Sequence, residues 1–128
     1  MGGLHLTGDM AYFCDATNVH LHACKVDHKF VKHFEEAWGK FATALQAFKP
    51  DFLLLSAGFD AHKEETAVMG ASAGFGVSAS HFRKLTKLLL KAVPREVPCV
   101  SVLEGGYGEV ALRDGLAEHL QGLYEASN

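Results

Sequence analysis

The sequence lacks a basic excess, a long apolar run and a dense set of cysteines, and each lack removes a class of function. Twelve Lys and Arg against fifteen Asp and Glu leave a formal net charge of −3. Without a basic stripe, neither nucleic acid nor an anionic membrane is expected as a direct partner, and a small or neutral ligand fits better. No apolar stretch approaches the roughly 20 residues that a membrane-spanning helix needs. The start, MGGLHLTGDM, has no cationic segment followed by an apolar one, so no secretory signal is expected. Leu6 also breaks the myristoylation pattern, which wants Ser or Thr at that position. Cys14, Cys24 and Cys99 are odd in number and sparse, which suits reduced thiols in a nuclear or cytoplasmic setting better than disulfides. Neither an internal repeat nor a low-complexity tract is present.

What is there fits one α/β piece covering residues 1–128. A chain of this size buries roughly two thirds of its unfolded surface, enough for a core. Residues 1–16 are glycine-containing and patternless, and are expected to be loop or an irregular start. From Thr17 to Cys24 side chains alternate, Val19, Leu21 and Ala23 on one face and His20, His22 and Cys24 on the other, as in a half-buried strand. Asp27 can cap a helix in which Phe30, Phe34, Ala37, Trp38, Phe41, Leu45 and Phe48 recur at helical spacing until Pro50.

Phe52 to Leu55 reads as a short strand covered on both faces. Residues 57–78, with glycines at 58, 70, 74 and 76, hold no sustained period and read as a long functional loop. Ser78 or Ser80 then caps a helix with Phe82, Leu85, Leu88, Leu89 and Val93 inward, closed by Pro94. Val97 to Leu103 is the next strand, and after Gly105-Gly106-Tyr107-Gly108 a last helix presents Val110, Leu116, Ala117, Leu120 and Leu123. Strand and helix alternate, which predicts a parallel sheet flanked by helices.

In open parallel sheets ligands gather beyond the carboxyl ends of the strands. Asp60, in LLLSAGFDAH, and Tyr107, in SVLEGGYG, both fall there. A carboxylate can hold a cation, and a phenol can donate to a developing oxyanion. Gly105 and Gly106 let the backbone turn tightly beside a ligand. Spacing alone also allows Asp60 as a turn or capping residue and Tyr107 as an amphipathic rim aromatic.

The words PDFLLLSAGFDAH and, some forty residues later, SVLEGGY resemble the zinc-dependent histone deacetylases, above all the branch that writes LEGGY, which includes class II deacetylases and acetylpolyamine amidohydrolases. The resemblance runs from about Asn18 through the last helix and covers the C-terminal part of the family's catalytic domain. It implies a partial arginase-deacetylase fold, zinc as cofactor, Asp60 as the family's second zinc-binding aspartate and Tyr107 as the tyrosine that polarises the acetyl carbonyl. Gly105 and Gly106 become the substrate-side turn. The implied substrate is acetyl-lysine on a protein or peptide, for example a histone; an acetylated polyamine is the alternative, and a non-catalytic remnant acting in protein interaction is another.

Two departures bear on activity. The family takes its other zinc ligands from an Asp-x-His strand and its general-base histidines from a still earlier segment, and neither is visible upstream of residue 17. Catalytic zinc normally has three protein ligands plus water, so the chain is expected to be the terminal piece of a deacetylase with an incomplete site. The family's Asp-Pro-Leu-Gly-like segment is replaced by Glu64-Glu65-Thr66-Ala67-Val68-Met69-Gly70.

Other constellations are weaker. His62 follows Asp60 by two, but its surroundings match a motif that contributes only the aspartate, and it reads as a surface histidine. Cys14, His20, His22 and Cys24 could bind structural zinc, yet their spacing fits no usual ligand pair and a polar strand face explains them equally well. His28 and His33 fit the wet face of their helix. The segment from Gly74 to Ala79 formally fits a dinucleotide fingerprint but follows no strand. Lys84, Lys87 and Lys91 share one helical face and are expected to be solvated.

Overall fold

The computed structural model describes residues 4–7, 10–13, 28–65 and 76–128. Its elements are β1 (Leu4–Thr7), β2 (Met10–Phe13), α1 (His28–Phe48), β3 (Leu53–Gly58), α2 (Ala79–Lys91), β4 (Cys99–Gly105) and α3 (Glu109–Ser127). No described helix is long and apolar enough to cross a membrane.

The expectation of an irregular start is corrected. β1 and β2 pair antiparallel with Thr7 opposite Met10. That register leaves two residues, 8 and 9, between the strands. The strand expected at Thr17–Cys24, the Asp27 cap and the Cys14/His20/His22/Cys24 set lie outside the described residues.

β3 and β4 pair in parallel, Leu53 with Cys99 through Ala57 with Leu103, after which the register slips so that Gly58 meets Gly105. Glu104 is the extra residue, a β-bulge at the end of the sheet where the two motifs lie. The strand expected to be covered on both faces is one-sided. Leu53 and Leu55 are buried, but Leu54 is 58% exposed, and Val100 and Val102 beside it are 46% and 44% exposed. Alternation along a strand sends Leu54 to the face opposite Leu53 and Leu55, and among the described residues only the inner face is covered by α1 and α2.

α1 buries Ala37, Phe41, Ala42 and Leu45, and the last three pack with Leu53 and Leu55 of β3, with Leu89 of α2 and with Val93 just beyond it. It stops where Lys49 adopts φ 52°, the left-handed conformation common just past a helix, with Pro50 next. α2 starts at the N-cap Ser78, whose backbone N–H donates to His81 Nδ1 at 3.2 Å. It turns Phe82, Leu85 and Leu89 inward, while Leu88 stays 37% exposed.

α3 differs from expectation. Its buried face is Ala111, Gly115, His119 and Gly122, whereas Val110 and Leu120 are exposed. Close approach explains the inversion: a Cβ on Gly115 would lie 2.6 Å from Phe59 Cδ1, and one on Gly122 3.0 Å from the Arg83 carbonyl oxygen. The one large residue on this face is polar and fully partnered. Thr86 Oγ1 donates to the Phe82 carbonyl at 2.8 Å. Its proton is thereby used, so His119 Nδ1–H donates to Thr86 Oγ1 at 2.7 Å, and His119 Nε2 accepts from the Ser101 hydroxyl at 2.8 Å. Burial pushes the His119 pKa down, in keeping with this neutral ring. One side chain thus links α3 to α2 and β4.

At the rim of the same interface Arg83 pairs with Glu125, and Lys87 Nζ lies 2.7 Å from the same carboxylate. The Arg83 and Lys87 hydrogen bonds hold the Glu125 carboxyl down at about 2. Lys87 is therefore paired rather than simply solvated, although a pair this exposed adds little stability.

Candidate active site at the tips of two parallel strands

Because β3 and β4 run in parallel, their carboxyl ends emerge on the same side, and the Phe59 N–H donates to the Gly105 carbonyl at 3.0 Å just beyond them. Asp60 follows directly. Its carboxylate covers the Cα of Gly105 so closely that a Cβ there would collide with Oδ2, and a Cβ on Gly58 would sit 3.1 Å from the same oxygen. Glycine at 105 is what lets the first motif close over the second. The structure thus brings together Asp60 and Gly105 at the strand tips.

Gly106 has φ +99°, a conformation that disfavours side chains, and a Cβ there would lie 2.8 Å from Phe59 Cβ. Phe59 is 1% exposed and packs edge-on against Phe82. Its ring lies against Gly115 of α3, while the Phe59 backbone and Cβ lie under the turn. Beyond it Tyr107 is 62% exposed, while Gly108 is the N-cap of α3. The site therefore offers a half-buried carboxylate and an exposed phenol on adjoining turns, groups able to bind a cation or proton and to donate to an oxyanion.

His62 is corrected from a surface residue to a buried one, at 2% exposure. The turn after Asp60 is held at both ends, by the His62 N–H on the Phe59 carbonyl and the Lys63 N–H on the Val77 carbonyl, and this folds the imidazole onto Phe82. Its Nδ1 accepts the Glu64 N–H at 3.1 Å. Desolvation lowers its pKa, opposed by nearby Asp114.

Sequence reasoning missed Glu65. It is 1% exposed, and its Oε2 accepts the N–H of Tyr107 at 2.7 Å and of Gly108 at 2.8 Å. No local spacing could announce it, since the partners lie more than forty residues apart. Among the described residues no group of three or more His, Cys, Asp or Glu could hold a metal ion.

A sequence profile described as "Histone deacetylase domain" matches residues 2–123. The chain is 32% identical over 94 residues to "Type-2 histone deacetylase 1" of Dictyostelium discoideum, covering 72% of this chain and 6% of that protein. It is 36% identical over 81 residues to "Histone deacetylase 14, chloroplastic" of Arabidopsis thaliana, covering 61% of this chain and 18% of that protein. The chain thus spans a small part of the relatives it matches. No solved structure matches significantly.

Proposed function

The chain belongs to the histone deacetylase family, and from that premise we propose that it carries the Asp60–Tyr107 side of a deacetylase site, one that hydrolyses the amide of acetyl-lysine on a protein or peptide such as a histone. The observation that supports this most is the Asp60 carboxylate packed on Gly105, two residues before an exposed tyrosine, at the tips of adjacent parallel strands.

In this reading Asp60 is one zinc ligand, and Gly105 and Gly106 form the turn beside the acetyl group. The family is generally zinc-dependent, and a metal in such a site polarises the carbonyl and supplies a reactive water. The described residues do not make a complete metal site by themselves, so no step is derived through zinc. Tyr107 holds its proton at Oη and donates it as a hydrogen bond to the acetyl oxygen while negative charge gathers there. Removing one such donor commonly costs about a hundred to a thousandfold in rate. A nuclear or cytoplasmic location belongs to the proposal, on the ground of the sparse cysteines.

Zinc content and turnover test it together. In a protein that joins this chain to the missing zinc ligands, bound zinc that disappears in Asp60→Ala, with deacetylation of an acetyl-lysine peptide lost in Tyr107→Phe, is the expected result. Zinc binding and turnover that are unchanged by both substitutions in that protein favour a second reading, a non-catalytic interaction piece, which the exposed apolar row Leu54, Val100 and Val102 supports.

A further inference from the structure

We infer that Glu65 is a positioning residue for Tyr107: its buried carboxylate, accepting the N–H of Tyr107 and of Gly108, fixes the backbone from which the phenol projects. The inference rests on the functional reading of Tyr107 given above. A carboxylate at 1% exposure is costly unless it is bonded. Two contacts of 2.7 and 2.8 Å to one charged oxygen are short, charge-assisted hydrogen bonds. They fall where negative charge is favoured, at the N-terminal end of α3, on its N-cap and the residue before it. The N-cap there is Gly108, and the N3 residue Ala111 has no polar side chain that could accept the Gly108 N–H as in a capping box. The carboxylate of Glu65 supplies from a distant turn what the local sequence omits.

The exposure of the Tyr107 ring strengthens the case. With 62% of the residue open to solvent, packing does little to hold it, so its place is set by the backbone. That backbone is gripped at both ends by one turn, Asp60 over Gly105 and Glu65 on Tyr107 and Gly108. The turn is short and internally tied, with the Glu65 N–H donating to the His62 carbonyl at 2.9 Å. The segment that departs from the family's usual wording therefore carries the group that sets the distance between the proposed ligand and the proposed donor.

The test uses the full 128-residue chain, labelled with ¹⁵N and with 3-fluorotyrosine. Glu65→Gln keeps the size of the side chain and removes its charge. The Tyr107 and Gly108 amide protons are expected to move upfield and to exchange roughly tenfold to a hundredfold faster, the scale of losing a charge-assisted hydrogen bond. The Tyr107 ¹⁹F line should move toward that of free fluorotyrosine, with α1 amides unmoved and Glu65→Asp intermediate. Tyr107 and Gly108 signals that stay in place in a folded Glu65→Gln chain overturn the inference. Should that variant not fold, the unaltered chain decides: both amides exchanging as fast as exposed loop amides overturn it, and protected amides uphold it. Tyr107→Phe keeps its N–H and leaves the amide pattern intact. Undiminished deacetylation by Tyr107→Phe in a protein that joins this chain to the missing zinc ligands defeats the functional reading while leaving the Glu65 contacts standing, so the two failures are distinguishable.

Discussion

Helices α1 and α3 both pack on the same small sheet and its neighbours, yet they bury opposite kinds of residue. α1 puts Phe41 and Leu45 into the core at 2% and 3% exposure. α3 puts in Ala111, Gly115, His119 and Gly122 and leaves Leu120 54% exposed. The first helix contributes by filling space, the second by leaving it, so that Phe59 and the backbone of α2 can come close. A helix need not turn its most apolar stripe inward when a bulky neighbour already occupies the room. Here that neighbour is the ring of Phe59, whose backbone and Cβ lie under the turn of the candidate site.

Opposite substitutions should break the two helices. Leu45→Ala deletes buried volume from a well-packed cluster, and the expected loss is about 2 to 5 kcal/mol of unfolding free energy. Gly115→Ala adds a methyl 2.6 Å from Phe59 Cδ1, and overpacking of this kind costs about 1 to 3 kcal/mol. Urea unfolding midpoints measure both. A Gly115→Ala chain as stable as the parent would mean that α3 can back away from Phe59, and the contrast between the helices would fall.

The same contrast shows what was legible. Repeating large apolar residues identified α1 and α2, and apolar runs next to Pro, Gly or a turn located β3 and β4 and the strand tips bearing Asp60 and Tyr107. A small-residue face carries no such signal: of the expected set Val110, Leu116, Ala117, Leu120 and Leu123, Leu116 does pack against the core cluster, but Val110, Ala117 and Leu120 are exposed, because packing distance rather than hydrophobicity decides that face. The early hairpin was hidden by four-residue strands too short to show a period. Glu65 and His119 owe their roles to partners far along the chain, Tyr107 and Gly108 for one, Thr86 and Ser101 for the other. Burial of a polar group can be explained from its contacts, but not foreseen from its neighbours in sequence.

The polar member of the α3 face makes that helix sensitive to acid. His119 and His62 have pKa values lowered from 6.5, chiefly by burial. The unfolded chain therefore takes up protons first as pH falls through 6.5. Stability is fully present above that pH and declines below it, until the folded-state values are passed. Each histidine adds at most about 1.4 kcal/mol per pH unit to this slope. Unfolding midpoints recorded from pH 7.5 to 5 should fall, and His119→Gln, which keeps a polar side chain but cannot titrate, should flatten the fall. A slope unchanged in that variant would mean that His119 takes up a proton as readily folded as unfolded.

The smallest effect has the opposite sign and isolates packing from propensity. Gly39, in the middle of α1, is exposed, and a Cβ placed on it would meet nothing within 4 Å. Glycine there serves no close approach and carries only the entropic cost of a flexible residue in a helix. Gly39→Ala should raise the unfolding free energy by about 0.5 to 1 kcal/mol. The same methyl is thus expected to stabilise one helix at position 39 and destabilise the other at position 115. If both changes destabilised, glycine in α1 would also be holding open a contact, and the division of labour between space-filling and space-leaving helices would no longer describe this fold.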